Sequence, residues 1–318
     1  MRDKTSLCIV IPCYNEEEVL EITLLQLLDK MNNLIKSKRI SPLSRITLVD
    51  DGSKDQTWSI IEKLTKKEAL IDGIKLSRNR GHQNALLAGL MTVKNSFDAV
   101  ISMDADLQDD IQAIDGMLAA YEKGYEVVYG VRSSRKKDTF FKKTTALTFY
   151  KLLKLMGVDL VYNHADYRLL SQRALNGLEH YKEVNLFLRG IIPMVGYPST
   201  EVQYERKERA AGESKYPLRK MLEFALEGIT SCSVKPLRLI AVTGFMIFAL
   251  SILYSIYVLI VHFMGATVEG WTTIALSIWL LGGLQIFSIG LVGEYVGKIY
   301  LEAKARPKFF VEEYLRED

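Results

Sequence analysis

Ile101-Ser102-Met103-Asp104-Ala105-Asp106-Leu107-Gln108-Asp109-Asp110 is a strand that ends by presenting acids. Its apolar run, residues 99–103, stops at two carboxylates spaced one residue apart. Side chains alternate along an extended chain, so Asp104 and Asp106 point to the same side if the extended geometry persists through Ala105. Such a pair suits Mg²⁺ or Mn²⁺, which takes one or two carboxylates and leaves the rest of its sphere to substrate phosphates and water. A lone D-x-D is more often an ordinary acidic turn, so its weight depends on the chain around it.

Upstream, residues 5–12 are apolar and β-branched and close at Pro12, a buried first strand, and residues 16–34 carry apolar positions at helical spacing. Residues 46–49 form a second strand ending at Asp50-Asp51-Gly52-Ser53, followed by a helix over 56–67. A short third strand, 74–76, leads through Ser77-Arg78-Asn79-Arg80-Gly81 into a helix over 83–93. Beyond the acidic stretch come a helix over 111–121 and a fifth strand over 126–131. This alternation predicts an α/β fold with a mainly parallel sheet and helices on both faces. Ligands of such sheets bind outside the carboxyl ends of the strands, where Asn15, Asp50, Asp51, Arg78, Asp104 and Asp106 all fall.

Two basic stretches follow. Arg132, Arg135, Lys136, Lys137, Lys142 and Lys143 flank Phe140 and Phe141, which reads either as a solvated loop or as a surface for anionic lipid headgroups. The second, 206–220, contains Gly212-Glu213-Ser214-Lys215-Tyr216. Between them, composition makes His164-Ala165-Asp166-Tyr167-Arg168-Leu169 a turn and Leu188-Arg189-Gly190 a loop.

Residues 237–265 are apolar apart from Arg238 and His262 and, as a helix, reach roughly 40 Å, enough to cross a bilayer with tilt. Residues 271–292 make a second span whose glycines (Gly282, Gly283, Gly290 and, just after, Gly293) favour close packing on a neighbour. Lys235 and Arg238 precede the first span and Lys298, Lys304, Arg306 and Lys308 follow the second, while 266–270 carries no Lys or Arg. The positive-inside rule therefore puts both termini in the cytoplasm. The expected organisation is a catalytic domain over 1–217, a juxtamembrane amphipathic segment over 218–236, a two-helix transmembrane hairpin over 237–296 and a cytoplasmic tail over 297–318. The expected location is the inner, cytoplasmic membrane, multi-pass.

Composition excludes several classes. A net charge of +3 across 318 residues, with no zinc-finger spacing or aromatic-basic RNA motif, gives no case for nucleic acid. Three cysteines, Cys8, Cys13 and Cys232, are odd in number and fit a reducing compartment. Four scattered histidines argue against a histidine metal site, and no G-x-G-x-x-G follows the first strand to hold NAD. The charged N-terminus runs straight into a strand, without the pattern of a signal peptide.

Taken in order, Ile11-Pro12-Cys13-Tyr14-Asn15-Glu16-Glu17, Val49-Asp50-Asp51-Gly52-Ser53-Lys54-Asp55-Gln56-Thr57 and Met103-Asp104-Ala105-Asp106-Leu107-Gln108 resemble the nucleotide-sugar-binding half of a family 2 glycosyltransferase of the GT-A type. The likeness continues through Asp166-Tyr167-Arg168-Leu169, Leu188-Arg189-Gly190, Gly212–Tyr216, both apolar spans and Gly293-Glu294-Tyr295-Val296-Gly297-Lys298-Ile299-Tyr300. Over this whole length the chain is similar to the polyisoprenyl-phosphate glycosyltransferases, which include dolichyl-phosphate mannose synthase and the bacterial undecaprenyl-phosphate glucosyltransferases; two C-terminal spans favour the bacterial type.

The resemblance implies a UDP-sugar donor. Asp50 or Asp51 would accept from base or ribose, Pro12, Tyr14, Asn15 and Glu16 would shape the base pocket, Ala105 would line the donor site, and Gln108 would lie near the sugar. Asp104 and Asp106 would hold Mg²⁺ or Mn²⁺ on the diphosphate, with Asp106, Asp166 and Arg168 at the reacting centre. The family often carries a lysine after the third strand; here Gly81-His82-Gln83 stands there, which makes Arg78 the better cation for the donor. Arg132, Arg189, Arg209, Ser214 and Lys215 would clamp the phosphate of a polyprenyl acceptor. A lipid phosphate has a second pKa near 6, so it needs positioning more than deprotonation, and Asp166, which the family pattern suggests as a base, reads rather as a group that orients the acceptor or completes the metal surroundings.

The expected reaction is an inverting transfer of glucose or N-acetylglucosamine from a UDP-sugar to undecaprenyl phosphate, for cell-envelope glycans. The bilayer, a possible second copy of the chain, a downstream flippase and a second glycosyltransferase are the implied partners. The alternative is a processive polysaccharide synthase, which shares the donor motifs but usually carries Q-x-x-R-W; Trp58, Trp271 and Trp279 all lack that context.

Overall fold

The computed structural model describes residues 4–106, 108–132, 164–184, 186–205, 235–264 and 270–316. Strands β1 (Leu7–Cys13), β2 (Arg45–Asp50), β3 (Ile71–Leu76) and β4 (Ala99–Ser102) alternate with helices α1 (Leu20–Lys36), α2 (Thr57–Thr65) and α3 (His82–Val93). Helix α4 (Ala113–Glu122) leads to β5 (Val127–Arg132); β6 (His164–Ser171), α5 (Gln172–Glu179), α6 (Leu188–Met194) and β7 (Ser199–Tyr204) complete the unit. Two long helices, α7 (Lys235–Phe263) and α8 (Trp271–Lys304), precede a last strand, β8 (Val311–Leu315).

The strands form one sheet of order β7-β5-β6-β4-β1-β2-β3-β8. Pairs β1–β2, β1–β4, β2–β3 and β5–β7 are parallel; β4–β6, β5–β6 and β3–β8 are antiparallel. The expectation of an α/β, mainly parallel sheet holds. Two local readings do not. Residues 164–169 are a strand rather than a turn, inserted antiparallel between β4 and β5, and Leu188-Arg189-Gly190 opens a helix rather than a loop.

The centre of the sheet is apolar because both of its faces are covered. Along β1, Leu7, Ile9 and Ile11 enter one core layer with Leu20, Leu24, Leu27 and Met31 of α1, while Cys8 and Val10 enter the opposite layer with Ala85, Leu86 and Leu90 of α3. A Cβ on Gly89 would stand 2.5 Å from Val10 Cγ1 and 2.7 Å from Val49 Cγ2, so only glycine lets α3 sit this low over β1 and β2. Cys8 and Cys13 are buried thiols.

The tail expected over 297–318 is not separate. Helix α8 runs on to Lys304, Glu302 Oε2 accepts the amide of Val184 at 2.8 Å, Lys308 Nζ donates to the Tyr181 carbonyl at 3.3 Å, and β8 then pairs with β3. The two long helices carry exposed apolar residues such as Phe245, Leu250, Ile278, Ile286 and Phe287. Side chains are described for only part of each, and among the described residues no helix is long and apolar enough to cross a membrane. The expectation of a transmembrane hairpin rests on the uninterrupted apolar runs of the sequence.

Candidate active site

The carboxyl ends of β1, β2 and β4 meet along one edge of the sheet, with β6 beside them. At the end of β1, Asn15 adopts a left-handed φ of 54°. It is fixed from both sides: its amide donates to Ser53 Oγ at 3.0 Å and its Oδ1 accepts from the Lys54 amide at 2.9 Å. The Glu16 amide donates to Thr57 Oγ1 at 2.9 Å. A cavity of about 440 Å³ lies here, lined by Asn15, Glu16, Glu17, Glu18, Lys54 and Asp55, with Tyr14 exposed nearby in sequence and Pro12 buried in the strand.

Asp50 and Asp51 at the end of β2 are almost fully buried, and burial raises the pKa of both above the usual carboxylate value. Both accept hydrogen bonds from backbone amides. Asp50 accepts from the Ser53 amide at 3.3 Å, and Asp51 accepts from the amides of Arg80 at 2.7 Å and Gly81 at 2.9 Å. Asp51 thus ties the loop after β3 to the end of β2. Gly52, at φ +67°, makes the approach possible: a Cβ there would lie 2.6 Å from the Asn79 amide nitrogen. Arg78 on the same loop is exposed.

Past β4, the Ala105 carbonyl accepts from Thr23 Oγ1 of α1 at 2.7 Å, and Asp106 Oδ1 accepts from the Gln108 amide at 3.2 Å. Strand β6 enters from the other side. Ser102 pairs in register with Arg168, and Ser102 Oγ donates to the Asp166 carbonyl at 2.5 Å, so Asp166 is carried next to Asp104. The Asp166 carboxylate is bonded to Arg168 Nη2 and gripped by Arg189 through Nε at 3.2 Å and Nη2 at 2.9 Å. Burial alone would push this carboxyl up, but the two guanidiniums outweigh it and hold Asp166 well below the usual carboxylate range. An acid this firmly ionised does not collect protons near neutral pH. Its geometry is that of a carboxylate that positions two guanidiniums.

Three residues of this region have roles that the sequence did not reveal. His82, the first residue of α3, directs Nε2 to within 3.5 Å of Asp104 Oδ1 and 3.9 Å of Asp166 Oδ2. Gln83 beside it accepts the amide of Leu188 at 2.9 Å and so fixes the start of α6, which presents Arg189. Asp109, buried, accepts from Tyr204 OH, lies 3.9 Å from Arg132 Nη2 and is pushed by burial to a pKa of about 6. Arg132 Nε in turn donates to Tyr204 OH at 3.4 Å. No local signal marks these contacts in the sequence, because α3 reaches Asp104 only by the crossover from β3 over β2 and β1. Arg209, Ser214 and Lys215 lie outside the described residues.

The donor set fits a divalent cation shared with a substrate. Among the described residues Asp104 Oδ1 is buried and accepts no hydrogen bond; burial, with the carboxylates Asp166 and Asp106, raises its pKa against the opposing pull of His82, so a cation would satisfy it. Among the described residues no three His, Cys, Asp or Glu side chains form a ready-made metal cage. Phosphate oxygens of a ligand would have to complete the sphere.

Comparison with known proteins matches this arrangement. Residues 8–178 match Glycosyl transferase family 2, and residues 235–299 match the GtrB C-terminal hairpin. The chain is 53% identical to the uncharacterised glycosyltransferase YkoT of Bacillus subtilis (strain 168), over 96% of this chain and 91% of that protein. It is 37% identical to a protein named bactoprenol glucosyl transferase from Shigella phage SfV, over 95% of this chain and 97% of that protein. With its strand-end acids, its Asp166–arginine cluster and these likenesses over nearly its full length, the chain belongs to glycosyl transferase family 2, within the polyisoprenyl-phosphate glycosyltransferase group.

Proposed function

We propose that this glycosyltransferase moves glucose from UDP-glucose to a polyprenyl phosphate, with inversion, at the cytoplasmic face of the membrane that its hairpin crosses. The observation that carries the reading is the juxtaposition of Asp104, whose Oδ1 accepts no hydrogen bond among the described residues, with an Asp166 carboxylate that holds Arg189 and Arg168 in place. One side of this pair is suited to a metal-bound diphosphate and the other to a second phosphate. The 37% identity to a bactoprenol glucosyl transferase supports both the glucosyl group and the lipid acceptor. The apolar runs 239–263 and 271–293, neither of which contains Asp, Glu, Lys or Arg, support the membrane hairpin.

The chain's residues divide the work. The cavity at Asn15, Glu16 and Lys54 receives the nucleoside end of the donor, and Asp51 and Gly52 hold the β3–α3 loop at the end of β2. Arg189, its Nε–Nη2 fork held by Asp166, and Arg132 present positive charge to the acceptor phosphate, which is dianionic at neutral pH and attacks the anomeric carbon without a general base. The new bond joins phosphate oxygen to anomeric carbon while the bond from that carbon to the UDP oxygen breaks. Asp104 and Asp106 would hold a divalent ion, which when bound would supply positive charge against the departing diphosphate. The lipid-linked sugar then requires a flippase and a second transferase to be used outside.

Membranes containing the protein are incubated with undecaprenyl phosphate and labelled UDP-glucose, UDP-N-acetylglucosamine or UDP-galactose. Labelled lipid from UDP-glucose alone is expected, and Asp104→Asn and Asp106→Asn should each abolish it. Parental rates in both variants, or transfer only to a growing polysaccharide, would overturn the proposal.

A further inference from the structure

We infer that His82 is a nitrogen ligand of the donor-site cation, making this a mixed oxygen–nitrogen site that selects Mn²⁺ over Mg²⁺. The inference rests on the proposed metal-assisted transfer and adds to it the chemistry of the ion. His82 Nε2 faces Asp104 Oδ1 at 3.5 Å, too far for a normal N–H···O hydrogen bond, which falls at 2.7–3.2 Å. That carboxylate oxygen is buried and, among the described residues, accepts no hydrogen bond. Two potential ligand atoms that face each other without bonding leave the space that a cation bound to both would fill. Metal-to-ligand bonds of about 2.0–2.2 Å put adjacent ligand atoms of an octahedral ion roughly 3 Å apart, so only a small closing movement is needed.

The imidazole is held by its backbone. Asp51 accepts the amides of Arg80 at 2.7 Å and Gly81 at 2.9 Å, and Asn79 Oδ1 also accepts the Gly81 amide at 3.2 Å. Gly81 sits at φ +85°, the left-handed turn from which α3 begins with His82. Gln83, the next residue, is fixed to the Leu188 amide at 2.9 Å. Both neighbours of His82 are therefore anchored while its ring, 45% exposed, projects toward Asp104 and Asp166.

The identity of the ion follows from ligand chemistry. Mg²⁺ favours an all-oxygen octahedron and sheds water reluctantly; Mn²⁺ also prefers oxygen ligands but, as a transition metal, takes a nitrogen donor at a smaller loss than Mg²⁺ does. A lysine at this position would contribute a positive charge and no lone pair at neutral pH. Histidine here exchanges a fixed charge for a ligand.

The test uses the full-length protein in detergent with Mn²⁺ and substoichiometric UDP, read by pulsed electron paramagnetic resonance, with Mn²⁺–UDP alone as the blank. Wild type should show nitrogen-14 modulation of bound Mn²⁺. His82→Gln and His82→Lys should lose it with an unchanged thermal midpoint. In Mg²⁺ competition, wild type should favour Mn²⁺ at least tenfold more than His82→Gln does. Bound Mn²⁺ without nitrogen coupling, or coupling that survives in both variants, overturns the ligand assignment and leaves the donor-site metal standing. No protein-bound Mn²⁺ overturns the assignment as well, and undiminished formation of lipid-linked sugar in excess chelator would, separately, overturn the metal-assisted reaction.

Discussion

Arg189 grips Asp166 with two nitrogens, Nε at 3.2 Å from Oδ1 and Nη2 at 2.9 Å from Oδ2, while Arg168 bonds the same carboxylate from beneath. Arg168 is fully buried, so Asp166 is its counter-charge as well as the clasp for Arg189. Asp166→Asn should lower transfer by about 100-fold or more by releasing Arg189. It should also destabilise the fold by about 3–5 kcal/mol, since a buried guanidinium is left without its partner. Activity in membranes and thermal unfolding in detergent check the two effects.

The same pair fixes a pH prediction. Asp166 is held ionised well below the ordinary carboxylate range, so no titration of this group falls between pH 5 and 8. The pH dependence of kcat should therefore show no acidic limb belonging to Asp166. Its contribution to stability is present above the unfolded carboxylate pKa and is lost only as pH falls through the depressed folded value. A kcat profile with a base of pKa 5–7 that disappears in Asp166→Asn would contradict this.

Gln83 and Leu188 are joined across the site by one bond of 2.9 Å. In Gln83→Leu the Leu188 amide loses its acceptor, costing about 1–3 kcal/mol locally and loosening the helix start that presents Arg189. The expected split is a fall in kcat and a higher KM for the polyprenyl phosphate, with KM for UDP-glucose little changed. Steady-state kinetics with each substrate varied in turn measure it, and Gln83→Glu, which keeps an acceptor, should recover much of the loss.

Gly52 stands at φ +67° with room for no Cβ: the nearest atoms, Asn79 N and Arg78 C, would be 2.6 and 2.7 Å away, and both are backbone. Gly52→Ala should cost more than about 2 kcal/mol and displace the 78–81 loop. UDP binding by calorimetry should weaken at least tenfold.

Asp72 on β3 is fully buried, 4.0 Å from Arg45 and 3.5 Å from Tyr314 OH of β8, and burial raises its pKa to about 6. A carboxyl raised in the folded state binds its proton more tightly there. The stability it contributes is complete below the unfolded pKa of about 4 and is lost as pH rises through about 6. Asp72→Asn should remove this slope, so the stability difference from wild type should shift in the variant's favour by up to about 3 kcal/mol between pH 4 and pH 6.5. Thermal midpoints across that range read it.

The central strands were legible because they are buried on both faces and end abruptly in acids: nothing but a strand end explains Val49-Asp50-Asp51 or Met103-Asp104. Strand β6 was not, since it places a charged Arg168 in the middle of the sheet, against every rule of burial, and only the neighbouring Asp166 makes that tolerable. Strand β8 hid behind two glutamates at an exposed edge. His82 and Gln83 looked like plain residues at the join of a loop and a helix, because the contacts that define them lie 22 and 105 residues further on.

The return of the chain as β8 changes the mechanics of the whole molecule. The catalytic unit is continuous with α7 by sequence and is bonded to the end of α8 again through Glu302, Lys308 and the β3–β8 ladder. With the hairpin in the bilayer as proposed, the unit is held at two points instead of hanging from one, and a body held at two points cannot pivot freely. Its height and pitch above the surface are set by the fold. The enzyme then behaves as a fixed docking station, and lateral diffusion of the lipid, a search in two dimensions, brings the acceptor phosphate to it.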